Sequence, residues 1–116
     1  MINHKLNLKP WIDLQKKIKK RKHKVKIAVV GKYTNLKDSY KSLNEALVQG
    51  GIENSTDVDI QWINSEKENN ISLMKKLKGC DGILIPGGFG IRGINGKINA
   101  IKYARENNIP FFGICL

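Results

Sequence analysis

Two stretches of this chain could serve catalysis, one as nucleophile and one as oxyanion donor, and the more informative is Gly113-Ile114-Cys115-Leu116. A short apolar run, Ile109-Pro110-Phe111-Phe112, leads into a small residue and then a thiol. That is how a nucleophile elbow begins: a sharp turn between a buried strand and a helix lifts the reactive side chain clear of the sheet. Cys115 has the strand before it, and the elbow is expected to be cut off before its helix. A thiol attacks as thiolate, which a neighbouring base or a helix N-terminus favours; these residues supply little of either. The second stretch is Pro86-Gly87-Gly88. Adjacent glycines after a strand let backbone N–H groups approach a ligand with no Cβ in the way, and such amides stabilise an oxyanion when a thiolate attacks a carbonyl. The Gly87-Gly88 turn is therefore expected to face Cys115. The combination is that of acyl transfer: a Cys nucleophile, backbone donors, and a base brought from elsewhere.

The glycine loop also matches GxGxxG as Gly88-Phe89-Gly90-Ile91-Arg92-Gly93, after a strand and before a helix. Taken alone, that is a dinucleotide fingerprint. The context weighs against it, because the unit is the third βα of the chain, residues 93–96 read as a further glycine-bounded turn, and no Asp or Glu follows a next strand to hold a ribose. Gly31-Lys32 likewise lacks the leading glycine spacing and the Ser or Thr of a P-loop.

The elements that position these groups are legible from Val25 onward. Val25 to Val30 is β-rich and ends at Gly31; Asp38 opens a helical stretch with Tyr40, Leu43 and Leu47 on one side, closed by Gly50-Gly51. Val58 to Ile63 alternates as a half-exposed strand, and Asn69 or Asn70 can cap a helix with Ile71, Met74 and Leu77 as its buried face. Gly82 to Pro86 reads as a short buried strand, residues 97–107 as a helix burying Ile98, Ile101 and Ala104, and Ile109 to Ile114 as a fourth strand. Such alternation predicts an α/β fold: a parallel sheet with flanking helices and right-handed crossovers. Ligands then sit at the C-terminal ends of the strands, where Pro86-Gly87-Gly88 and Cys115 fall.

At 116 residues and 41% hydrophobic content, the chain can build one modest core, and no apolar run approaches the roughly 18 residues of a membrane span. No secretory h-region opens it, and two cysteines are too few for a disulfide framework, so a soluble cytoplasmic chain is expected. The net charge of +11 resides largely in the leader: residues 1–26 hold ten Lys and Arg against Asp13 alone. The run Lys16 to Lys24 can bind phosphates without sequence preference, or serve simply as a solvated linker. No aromatic is interleaved with it to stack on bases. Trp11, Leu14 and Ile18 recur at helical spacing, so residues 10–20 are expected to dock one face on a neighbouring domain.

Val30-Gly31-Lys32-Tyr33, Asp38-Ser39-Tyr40-Lys41-Ser42, Glu45-Ala46-Leu47, Pro86-Gly87-Gly88-Phe89-Gly90, Arg92-Gly93, Gly96, the segment Ala104 to Pro110 and Gly113-Ile114-Cys115-Leu116 together resemble the class I glutamine amidotransferase domain of the CTP synthase family. The resemblance covers about residues 25–116; residues 1–24 are similar in kind to the linker that precedes this domain in the family. It implies a flavodoxin-like fold, present here to about its fourth strand. It implies an enzyme that hydrolyses L-glutamine at a Cys-His-Glu triad and passes ammonia to a synthase domain, where ATP phosphorylates UTP and ammonia completes CTP. Mg and the activator GTP are implied for the complete enzyme, a homo-oligomer, and no cofactor for this segment. Carried over by motif, Cys115 is the nucleophile of a glutamyl thioester. Gly88 and Leu116 contribute oxyanion-hole N–H groups and contact glutamine, and Phe89 to Lys97 forms the lid whose ordering is linked to GTP activation. The triad His and Glu and the synthase domain have no counterpart here, so the fragment is expected to be inactive alone.

Simpler roles remain open. A Cys at a strand end is usually a small hydrophobe, and for Cys80 nothing points elsewhere. Arg92 and Lys97 read as solvated surface, Tyr33 and Tyr40 as packing groups, and Trp11 and Trp62 as core or domain-contact aromatics. The alternative function is a noncatalytic basic module holding nucleic acid or an acidic partner.

Overall fold

The computed structural model describes residues 5–33 and 36–115. Its elements run α1 (Lys9–Lys19), β1 (His23–Gly31), α2 (Leu36–Ser39), α3 (Lys41–Glu53), β2 (Thr56–Asn64), α4 (Asn70–Leu77), β3 (Gly82–Ile85), α5 (Ile94–Glu106) and β4 (Phe111–Gly113). The four strands form one sheet in the order β2-β1-β3-β4, parallel at every pairing. β1 is central because it is apolar on both faces. Its Ala28 and Val30 join Ile63, Ile83 and Ile85 beneath α4 and α5, whose Leu73, Leu77, Ala100 and Ala104 complete that core. On the other face Val25 and Ile27 lie with Val58 near Ala46 and Leu47 of α3.

Several elements differ from the sequence expectation, each for a packing reason. The helix expected to close at Gly50-Gly51 runs on to Glu53. Gly51 is there for close approach, since a Cβ on it would sit 2.6 Å from the Thr56 carbonyl oxygen and 2.6 Å from Val58 Cγ2. In α4 the cap is Asn69, whose side chain accepts from Ser72 N at 2.8 Å. The buried face is Leu73 and Leu77, with Met74 half-buried and Ile71 exposed. The true face follows a spacing of four rather than three, and Ile71 lies about two residue steps of 100° away from it.

The largest correction concerns α5. It begins at Ile94, not 97, behind a left-handed Gly93 with φ 73°, so residues 94–96 belong to the helix rather than to a turn. Its buried face is Gly96, Lys97, Ala100 and Ala104, while Ile98 is 53% exposed and Ile101 also lies out. Small residues face the sheet because the helix comes very close: a Cβ on Gly96 would collide with the Ser65 backbone. β4 is shorter than expected, Phe111–Gly113, and exposed along its length as the outer strand of the sheet. The basic leader is helical over α1, as its periodicity predicts, with no buried residue and Trp11 66% exposed.

Candidate active site

Cys115 reaches its position through the parallel register of β3 and β4. Ile83 pairs with Phe111, Leu84 with Phe112 and Ile85 with Gly113, and Ile114 N donates to the Ile85 carbonyl at 2.9 Å. The two strands therefore end side by side, and the residues just past them meet. A Cβ placed on Gly87 would lie 3.1 Å from Cys115 Cβ, 3.4 Å from the Ile114 carbonyl oxygen and 3.8 Å from Cys115 Sγ. The expected meeting of the glycine turn and the cysteine is thus present in the fold. Cys115 adopts φ 63°, in the left-handed region that a non-glycine residue enters only at a cost of about 1–3 kcal/mol. The side chain is exposed. A strained residue at the C-terminal end of a strand, its thiol open to solvent, has the backbone character of a nucleophile elbow.

Gly88 lies one residue further along, between two lysines. A Cβ there would be 3.1 Å from Lys32 Cε and 3.3 Å from Lys97 Nζ. Lys97 is not solvated surface: it is 9% exposed, and its Nζ donates to the Pro86 carbonyl at 3.3 Å. Burial, with a smaller contribution from the nearby Lys32 charge, pushes its ammonium below the usual lysine range. Sequence reading missed this residue, although one signal was available: Lys97 falls among Gly96, Ala100 and Ala104 on the small-residue face of α5.

The loop from Gly88 to Gly93 is fastened at its far end. Arg92 is likewise not free surface, because its guanidinium meets the Glu66 carboxylate through two bonds, Nε to Oε1 at 2.6 Å and Nη2 to Oε2 at 3.2 Å. That partner holds the Glu66 carboxyl below its ordinary range. Gly93 is pressed against Ser65, where a Cβ would collide with Oγ. Between the fixed ends, Phe89 is 81% exposed and Ile91 projects similarly. A polar cavity of about 360 Å³ opens beside the fastened end, lined by Glu66, Glu68, Asn70 and Asn99 among others. An apolar cavity of about 440 Å³ opens beside the thiol, bounded by Pro86, Lys97, Ile98, Phe111, Ile114 and Cys115.

The remaining sequence candidates are placed as follows. Leu116 lies outside the described residues. Cys80 is buried, its Sγ near Gln61 Oε1 and the Lys76 carbonyl at 3.5 Å each, and burial pushes the thiol up. Tyr40 stacks on Trp62 with ring centroids 6.3 Å apart, and Tyr33 tilts against Tyr40 at 5.6 Å, so these are packing groups as expected. Among the described residues the one histidine, His23, starts β1 at the end of the sheet away from Cys115, and no group of three His, Cys, Asp or Glu side chains gathers to hold a metal.

A family model described as glutamine amidotransferase class-I matches residues 35–116. The CTP synthase of Desulfotalea psychrophila is 56% identical over 110 residues, 95% of this chain and 20% of that protein. That of Bdellovibrio bacteriovorus is 57% identical over 111 residues, 96% of this chain and 21% of that protein. The chain thus spans about 20% of the length of such curated relatives. Among solved structures, a Trypanosoma brucei CTPS glutaminase domain with bound acivicin superposes with a TM-score of 0.68 at 44% identity, covering 77% of this chain and 35% of that one.

Proposed function

The chain belongs to the class-I glutamine amidotransferase family, and from that premise we propose that it is the segment of a CTP synthase that carries the nucleophile and oxyanion loop of the glutaminase site. Residues 1–24 are the basic linker, and residues 25–116 are the N-terminal part of the amidotransferase domain. Cys115 attacks the side-chain carboxamide carbon of L-glutamine as thiolate. The C–N bond breaks, ammonia leaves with the proton that a base outside these residues took from the thiol, and water then releases glutamate from the thioester. The N–H groups of Gly88 and Leu116 hold the oxyanion, and the loop of residues 89–93 covers the site.

The ammonia serves amination of UTP to CTP in a synthase domain, with ATP and Mg used there and GTP as activator. Among the described residues no group of three His, Cys, Asp or Glu side chains gathers to hold a metal. The complete enzyme is a cytoplasmic homo-oligomer, and no helix among the described residues is long and apolar enough to cross a membrane.

The observation that carries this reading is the left-handed Cys115, φ 63°, against the Gly87 backbone at the paired ends of β3 and β4. It is tested in a full-length enzyme carrying this segment. Cys115→Ser replaces the thiolate by a hydroxyl too basic to ionise, so CTP formation from glutamine vanishes while formation from added ammonium survives. If the two rates fell together, or neither fell, Cys115 would not be the nucleophile.

A further inference from the structure

We propose that Lys97 is a positioning residue of the oxyanion loop: by holding the Pro86 carbonyl it fixes the peptide plane from which the Gly88 amide is aimed at the reacting carbonyl. The proposal rests on the glutaminase reading of the site and adds a residue to it.

Three features of the geometry converge on Lys97. Its Nζ donates to the Pro86 carbonyl at 3.3 Å, and the same nitrogen would stand 3.3 Å from a Cβ on Gly88, so one ammonium bonds the loop before Gly87 and lies close to it after Gly87. Lys97 also lines the cavity into which Cys115 opens. Finally, it is the one long side chain among the buried residues of α5, the others being Gly96, Ala100 and Ala104.

The backbone explains why such an anchor is useful. A peptide unit is planar, with C=O and N–H pointing in opposite directions. Tying the Pro86 carbonyl toward α5 therefore turns the Gly87 N–H away from α5. Beyond that plane the direction of the Gly88 N–H depends on the φ and ψ of Gly87, a residue with the widest conformational range. An oxyanion donor acts only if it is aimed before the reaction, because its value lies in needing no reorganisation as charge develops. The glycines are required for close approach, to Cys115 at Gly87 and to Lys32 and Lys97 at Gly88, and they leave the loop short of rigidity. Lys97 restores that rigidity from outside the loop.

A buried ammonium is a costly way to fill this space. Its depressed pKa reports that cost, and an unbranched apolar side chain would pack there more cheaply. A purely structural position would gain stability from Lys97→Met, whereas an anchoring position would lose catalysis while keeping stability.

The experiment uses the full-length enzyme carrying this segment, with Lys97→Met and Lys97→Arg variants. For Lys97→Met, the expected loss in glutamine-dependent kcat is about tenfold or more, with KM for glutamine within about threefold, because the lost interaction belongs to the transition state. Alkylation of Cys115 by iodoacetamide, which needs no oxyanion hole, keeps its rate. Ammonium-driven CTP synthesis is intact, and Tm is equal or higher. Lys97→Arg retains a cationic donor and keeps more glutaminase turnover than Lys97→Met. An unchanged kcat in Lys97→Met overturns the proposal, as does a loss of kcat matched by slower alkylation or by a lower Tm and a lower ammonium-driven rate. Equal loss in the two variants overturns it as well. Cys115→Ser, run alongside, isolates the premise: if that variant still used glutamine, the glutaminase reading itself would fail, whatever Lys97 did.

Discussion

Cys115 and Cys80 are the same residue type in opposite environments, and the difference sets their chemistry. Cys115 is exposed on a strained turn; Cys80 is buried, with its thiol pushed up by desolvation. A thiol-directed reagent at neutral pH is expected to modify Cys115 first and to reach Cys80 only on unfolding, which mass mapping of iodoacetamide adducts checks. Labelling of both at equal rates would mean that the thiols do not differ as described. Gly87 offers a second test at this scale. A methyl group there stands 3.1 Å from Cys115 Cβ, tighter than ordinary contact, so Gly87→Ala in a full-length enzyme displaces the nucleophile or the loop. The expected result is a loss of glutamine-driven CTP synthesis by about 10²-fold, with ammonium-driven synthesis kept.

Among the elements, α5 and the loop before it decide how the site is held. The close approach of α5 to the β2–α4 turn depends on Gly96, where any Cβ meets the Ser65 backbone. Backbone cannot give way as a side-chain end can, so Gly96→Ala is expected to lower stability by about 1–3 kcal/mol, read as a fall in denaturant midpoint. The Arg92–Glu66 pair fastens the loop from the other side. Because the Glu66 carboxyl is held below its unfolded range, the tether is fully present above about pH 4.3 and is lost as pH falls through the lower folded value. Glu66→Gln removes the charge at every pH. It is expected to speed tryptic cleavage after Arg92 at pH 8, and an unchanged cleavage rate would show that the pair does not restrain the loop.

For the molecule as a whole, the basic leader is the feature least absorbed by the site. Within it Lys17 pairs with Glu53 at 2.9 Å and Arg21 with Asp57 at 2.7 Å, so part of the charge is spent on the chain's own acids. Exposed pairs of this kind are worth little, and the rest of the run stays open to phosphates. Binding of DNA or RNA is expected to be weak, indifferent to sequence, and lost steeply between low and physiological salt, and removing residues 1–24 abolishes it. Tight, sequence-selective binding at physiological salt would favour the basic-module alternative. The purified 116-residue chain is expected to release no ammonia from glutamine, since the one histidine among the described residues stands at the far end of the sheet. Cys115-dependent release would contradict this.

The sequence alone determined the succession of elements and the pairing of chemistries. Apolar strands ending in glycine or proline, a helix capped by Asn69, and the approach of a glycine turn to Cys115 follow from local patterns, because parallel strands deliver their C-terminal ends to one edge; Asp38 instead lies within the short α2, and α3 starts separately at Lys41. The tertiary structure decided which faces are buried. Ile71, Ile98 and Ile101 read as core from their spacing, yet they lie exposed while Gly96, Ala100 and Ala104 face the sheet. Hydrophobicity does not report how close two backbones come, and where they come very close only the smallest residues fit. The same gap hid Lys97 and Arg92. A charged side chain reads as solvated until the fold supplies its partner, here the Pro86 carbonyl from 11 positions away and the Glu66 carboxylate from 26 positions away. Local sequence carries no record of contacts made across such distances.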